Sequence, residues 1–136
     1  MPAAVHLASK GRVLVVDDHP VNRRLIELWL SKQGYTVNVA VNGREALDLL
    51  GDGHAFKFVL MDCQMPVMDG LAATRELRLR ESAASLPRLP VIAITAGGGD
   101  LCERECVAAG MDDFLLKPVN FSLLETAMFR LQKGRC

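Results

Sequence analysis

Unbroken runs of apolar side chains alternate along this chain with stretches in which apolar residues return every three or four positions. The run Val13-Leu14-Val15-Val16 stops abruptly at Asp17 and Asp18. A β-rich run without polar alternation predicts a strand over 12–16 that is covered on both faces. Val21, Leu25, Leu28 and Trp29 then recur at helical spacing and predict one apolar helix face. Pro20 suits the first turn of that helix, and Gly34 its stop. A second strand is predicted over 35–40. Asn42, with Glu45 three residues later, has the form of a capping box ahead of Ala46, Leu49 and Leu50.

The same alternation continues to the end of the chain. A third buried strand is expected over 56–61, ending at Asp62, followed by a turn around Pro66 and a helix over 68–80. Residues 81–88 read as a polar connection, and 89–95 as a fourth strand with Pro90 near its start, where a missing amide does least harm. A helical pattern resumes after Asp100 through Cys102, Cys106, Val107 and Ala109 and stops at Gly110. Residues 114–116 predict a short fifth strand. Asn120 can cap a last helix carrying Leu123, Leu124, Ala127, Met128 and Leu131. Five strands alternating with five helices predict an α/β domain with a parallel sheet covered on both faces.

Composition narrows this picture. At 136 residues, half of them hydrophobic, the chain suits one domain with a substantial core. The expected division is a lead-in or linker over 1–10, the domain over 11–133 and a tail over 134–136. Sixteen basic residues balance sixteen acidic ones, so global charge points to neither nucleic acid nor an anionic membrane. Cys63, Cys102, Cys106 and Cys136 do not form the spacing of an extracellular disulfide framework. Cys102 and Cys106 are four apart, but without a neighbouring histidine they do not read as a metal site. No secretory signal and no run of membrane-spanning length is legible, so the expected setting is the reducing cytoplasm, without direct membrane contact.

Candidate chemistry collects where the predicted strands end. Asp17 and Asp18 follow the first strand, Asp62 the third, Thr95 the fourth and Lys117 the fifth. In open parallel sheets ligands bind beyond these carboxyl ends. Three carboxylates held together repel one another unless a cation compensates them. Mg2+, hard and oxygen-seeking, suits such a set and leaves room for waters and a phosphate. The plainer alternative is that Asp17 or Asp18 caps the following helix. A carboxylate beside Mg2+ can attack phosphorus to form an acyl phosphate. Asp62, alone after the central strand, is the preferred nucleophile. Lys117 would stabilise developing charge, and Thr95 could donate its hydroxyl to a phosphoryl oxygen.

These residues carry a family resemblance. Asp17-Asp18, the stretch Met61-Asp62-Cys63-Gln64-Met65-Pro66-Val67-Met68-Asp69-Gly70, Thr95-Ala96 and Phe114-Leu115-Leu116-Lys117-Pro118 resemble the receiver domain of response regulators. The long central motif, with Ala108-Ala109-Gly110-Met111-Asp112-Asp113, is most similar to receivers attached to hybrid sensor histidine kinases. The resemblance, covering about Gly11 to Leu131, implies a flavodoxin-like strand order 2-1-3-4-5. It implies that Asp62 accepts phosphate from a histidine of a kinase or phosphotransfer domain. Asp18, Asp62 and the Gln64 carbonyl would ligate Mg2+ (Mn2+ as substitute), with Asp17 acting mainly through water. Lys117 would contact the phosphate, next to a Lys117–Pro118 bond that is commonly cis in the family. Thr95 and Phe114 would form a switch pair that remodels the face of helix four, strand five and helix five, where a downstream protein could dock. Gln64 and Gly97 would tune phosphate lifetime. The implied setting is cytoplasmic, tethered where the parent kinase is membrane-bound.

Two departures stand out. Gly97, Gly98 and Gly99 occupy positions where this subfamily usually has asparagine and helix formers. Each glycine costs roughly 1 kcal/mol of helix preference relative to alanine, so a late-starting or mobile fourth helix is expected. Leu116 stands where a small or polar residue is commoner. Two rival readings share the same residues. A phosphatase or phosphotransferase using an aspartyl-phosphate would need a second acid–base group and a substrate pocket, neither of which is legible. A binding module indifferent to phosphorylation would not require Asp62 and Lys117. Turnover is expected to extend only to the domain's own phosphorylation and dephosphorylation.

Overall fold

The computed structural model describes residues 9–51, 55–96 and 100–133. Five strands, β1 (Arg12–Val16), β2 (Thr36–Ala40), β3 (Phe56–Asp62), β4 (Val91–Thr95) and β5 (Asp113–Leu116), alternate with five helices. These are α1 (Pro20–Lys32), α2 (Gly43–Leu50), α3 (Gly70–Ala84), α4 (Asp100–Ala109) and α5 (Phe121–Lys133). The strands pair in parallel in the order β2-β1-β3-β4-β5.

Alternation of side chains along each strand divides the core in two. Val13 and Val15 join Phe58, Leu60, Ile92 and Ile94 beneath α1 and α5, against Ile26, Leu30, Leu124 and Met128. Leu14 and Val16 join Val59, Met61, Val91 and Ala93 on the other face, against Leu47 and Leu50 of α2, Leu77 of α3 and Cys106 of α4. A strand that serves both layers has no polar positions to spare, which is why the apolar runs are continuous.

Local signals act as their chemistry dictates. Asn42 accepts a hydrogen bond from the Glu45 amide at 2.8 Å, while Glu45 Oε1 accepts one from the Val41 amide at 3.0 Å. Asp69 caps α3 through the Ala72 amide, and Asn120 caps α5 through the Leu123 amide.

Three expectations need correction. Val21, Leu25 and Leu28 do not form the buried stripe of α1: they are 60 %, 52 % and 42 % exposed, and Ile26 and Leu30 face the core instead. Both sides of α1 carry apolar residues, so periodicity alone could not say which side meets the sheet. The third helix runs from Gly70 to Ala84, later at both ends than 68–80: Asp69 caps its start, and the buried Glu81 pairs with Arg78 one turn before it. Leu49 and Leu123 point outward, and Leu47 and Leu124 are the buried neighbours. The fourth helix is described from Asp100, and the late or mobile start expected after Gly97, Gly98 and Gly99 lies outside the described residues.

Candidate functional site

The strand order reverses its direction of growth between β1 and β3, the point at which open parallel sheets form a crevice at their carboxyl ends. β1 and β3 run in register, with Val16 opposite Met61, so the residues that follow bring Asp17 beside Asp62. β3 and β4 pair Asp62 with Ile94, which sets Thr95 one step further on. β5 pairs Leu116 with Thr95, and Lys117 projects from the next position, its amide donating to the Thr95 carbonyl at 2.7 Å. The Lys117–Pro118 peptide bond is cis.

Three acids converge in this crevice. One carboxylate oxygen each from Asp17, Asp18 and Asp62 lies within 4.8 Å of the others. Asp17 and Asp62 are buried and Asp18 is exposed. Lys117 Nζ donates to Asp62 Oδ2 at 2.9 Å and stands 4.0 Å from Asp17 Oδ2. Asp62 Oδ1 accepts the Gln64 amide at 3.2 Å. Asp17 Oδ1 accepts the His19 amide, so this acid shapes the turn into α1, while the cap position itself belongs to His19. Asp17 Oδ2 is buried with no hydrogen-bond partner among the described residues.

An orphaned, buried carboxylate oxygen is costly, and it identifies an arrangement that lacks positive charge. Titration points the same way. Burial raises the Asp62 carboxyl above its ordinary value, helped by the negative charge of Asp17, and the bonds from Lys117 and Gln64 offset this only in part. For Lys117, burial pulls downward, but its hydrogen bond to Asp62 and the charges of Asp62, Asp17 and Asp18 prevail and raise it. The donor set, three carboxylates, is oxygen-only and fits a small hard dication such as Mg2+.

The remaining sequence candidates fall around this centre. Thr95 is buried at the end of β4. Phe114 is half-buried, packed against the α2–α3–α4 side of the core. Gly97 lies outside the described residues. Two contributors were not legible in the sequence. The Arg23 guanidinium donates to the Asp17 carbonyl at 2.9 Å, a contact from the first turns of α1 that no local pattern announces. Gly70 starts α3 so close to β3 that a Cβ there would stand 2.2 Å from the Asp62 carbonyl oxygen. Its place in the long motif was visible, but its reason is this close approach.

Known proteins share the fold and much of the sequence. The family model described as "Response regulator receiver domain" matches residues 13–129. Hybrid signal transduction histidine kinase A of Dictyostelium discoideum is 35 % identical over 121 residues, which are 89 % of this chain and 6 % of that protein. Histidine kinase 2 of Arabidopsis thaliana is 35 % identical over 142 residues, covering 92 % of this chain and 12 % of the kinase. The chain thus spans only a small part of these relatives. Among solved structures, the receiver domain of sensor histidine kinase PA1611 from Pseudomonas aeruginosa PAO1 has a magnesium ion coordinated in its active site cleft. It superposes with a TM-score of 0.79 at 36 % identity, covering 90 % of this chain and 97 % of that one. The receiver domain of Ssk1, crystallised with the histidine phosphotransfer protein Ypd1 of Saccharomyces cerevisiae, gives a TM-score of 0.82 at 27 % identity, covering 90 % and 88 %. With the family model covering residues 13–129 and relatives 35 % identical over about nine-tenths of its length, the chain belongs to the response regulator receiver domain family.

Proposed function

We propose that this receiver takes a phosphoryl group from a phosphohistidine onto Asp62 and passes the event to its α4–β5–α5 face. The observation that carries the reading is Lys117 Nζ, 2.9 Å from Asp62 Oδ2, beside a buried Asp17 oxygen that has no donor among the described residues. Asp17, Asp18, Asp62 and the Gln64 carbonyl would hold Mg2+, or Mn2+ in its place. When bound, the ion supplies positive charge to the phosphoryl oxygens and lets the acids stay ionised side by side.

The chain's own residues do the rest. An Asp62 carboxylate oxygen attacks phosphorus, the P–O bond forms as the P–N bond to the donor imidazole breaks, and that imidazole leaves with the bonding electron pair. Lys117, released from its ion pair as Asp62 loses charge at the attacking oxygen, turns to the phosphoryl oxygens. Arg23 and the His19 amide keep Asp17 in place. Thr95 donates its hydroxyl to the phosphoryl group, and Phe114 moves inward as that hydroxyl turns away from it. Gln64 and Gly97 set the lifetime of the acyl phosphate by steering water.

The partner chemistry follows from the relatives. The Ssk1 receiver binds a histidine phosphotransfer protein, and the curated relatives are histidine kinases. We assign this chain a kinase or phosphotransfer donor and a place within a hybrid histidine kinase. Among the described residues no helix is long and apolar enough to cross a membrane. The domain would work in the cytoplasm, tethered where its parent kinase is membrane-bound. For output, Phe114, Leu116, Lys117, Pro118, Asn120 and Leu123 line a groove of about 280 Å³, and Leu116 and Leu123 are exposed at its rim. The departure at Leu116 thus adds apolar surface where a downstream protein would dock.

Intact mass after incubation with Mg2+ and a small phosphodonor tests the reading. One added phosphoryl group is expected, absent from Asp62→Asn and absent when Mg2+ is chelated. An unmodified wild-type chain, under conditions that label another receiver, would overturn it.

A further inference from the structure

Two sulfurs meet in the core beside the acidic crevice. Cys63 immediately follows Asp62, its amide donating to the Ile94 carbonyl at 3.0 Å and its carbonyl accepting from the Gly70 amide at 3.1 Å. It is therefore fixed between β4 and the start of α3. Cys106 lies on α4 and points into the same apolar cluster, with Ala73, Leu77, Ala93 and Met111. The two Sγ atoms are 3.3 Å apart across 43 residues of sequence, and the side chains are 2 % and 1 % exposed. Forming a disulfide requires them to approach by little more than about 1 Å, to the usual bond length near 2.0 Å.

We propose that Cys63 and Cys106 form a reversible disulfide when the protein meets a hydroperoxide, fastening α4 to the end of β3. The burial of both sulfurs favours an oxidant as small as hydrogen peroxide over a bulky disulfide. One cysteine attacks a peroxide oxygen as its thiolate, the O–O bond breaks, and the departing hydroxide takes up the proton the thiol gave, leaving a sulfenic acid and one water. The second sulfur attacks the sulfenic sulfur, the S–O bond breaks, and the second thiol proton leaves with the hydroxide as another water. Two thiols are oxidised by two electrons, and one peroxide is reduced to two waters. A small dithiol reverses the change by exchange.

The bond would join the residue after the phosphoacceptor to the helix of the output face. On the reading of α4–β5–α5 as that face, which is the function proposed above, oxidation holds α4 in its present packing and dampens the response to phosphate. Cys102 and Cys136 are the competing thiols, so the position of the link is the decisive observation.

The experiment uses the whole chain, folded, without phosphodonor, so that its result does not depend on phosphotransfer. After peroxide, intact mass is expected to fall by two hydrogens. A non-reduced protease digest is expected to yield one linked pair of peptides joining Cys63 to Cys106, lost on reduction. Cys106→Ser should abolish that link, and so should Cys63→Ser if Cys106→Ser folds poorly. A link joining any other pair of cysteines, a gain of oxygen without a link, or an unchanged wild-type mass would each overturn the proposal.

Discussion

Charged side chains gather around a buried acid at both edges of the sheet, and the two edges treat them differently. At the amino edge, Arg78 donates to Glu81, to Asp112 and to the carbonyls of Gly110 and Leu89, at 2.8 to 3.1 Å. Asp112 also accepts from the Val91 amide and from Arg88, and Glu81 from the Leu89 amide. Two guanidinium groups face two carboxylates, and backbone groups take up the remaining bonds. At the carboxyl edge, three carboxylates face one ammonium, and a buried oxygen of Asp17, 4.0 Å from Lys117 Nζ, has no hydrogen-bond partner among the described residues. A satisfied network of this kind specifies how α3 and the two flanking loops meet the sheet. An unsatisfied one leaves an excess of negative charge that the described residues do not neutralise.

The sharpest way to break the comparison is to remove one charge from each edge. Asp62→Asn is expected to abolish the phosphoryl adduct entirely by mass, yet to leave the metal-free protein as stable as the wild type or more so in urea unfolding. The sign follows from titration. Burial raises the Asp62 carboxyl above its ordinary 3.8, so the folded chain holds that proton more tightly than the unfolded chain. This group therefore favours folding below the unfolded value and opposes it once pH has risen through the folded one. At neutral pH the asparagine removes a penalty. Arg78→Ala should do the reverse, costing about 3 kcal/mol in urea unfolding by leaving the buried Glu81 without its cation, while the adduct still forms in whatever fraction is folded.

Smaller changes sharpen the contrast. Gly70→Ala places a methyl against the Asp62 carbonyl and should cost about 2 kcal/mol, with slower phosphorylation because the acceptor strand is displaced. Mg2+ should raise stability at neutral pH by about 1.4 kcal/mol when present at ten times its dissociation constant. That gain should fade as pH falls into the range where Asp62 takes up its proton, and be much reduced in Asp62→Asn, as thermal melts would report. Leu25→Ser, at an exposed position of α1, should change urea stability by less than about 0.5 kcal/mol. A cost of several kcal/mol there would restore the buried stripe that the periodicity predicted.

The sequence disclosed most where a signal was local. Val13 to Val16 read as a strand because residues buried in both layers must all be apolar, and Asn42 with Glu45 announced a helix start within four residues. The strand-end acids were legible because a parallel sheet places every carboxyl end on one side. What stayed hidden depends on partners remote in sequence. Glu81 looked like the start of a polar connection because Asp112, the other acid on Arg78, lies 34 residues from that arginine. The outward turn of Val21, Leu25 and Leu28 depends on which side of α1 meets the sheet, and Arg23 reaches Asp17 through a three-dimensional turn that no spacing rule encodes.

The register of β1 with β3 has a consequence for how the chain folds. Pairing Val16 with Met61 is part of building the central sheet, and it cannot occur without setting Asp17 beside Asp62. Like charges thus approach one another during the same long-range step that forms the core. That repulsion belongs to the folding barrier, since a contact between residues so distant must be made before its burial is rewarded. Added salt, which screens that repulsion, is expected to speed refolding. The strand-end acids thus make assembly of the sheet sensitive to the ions around it.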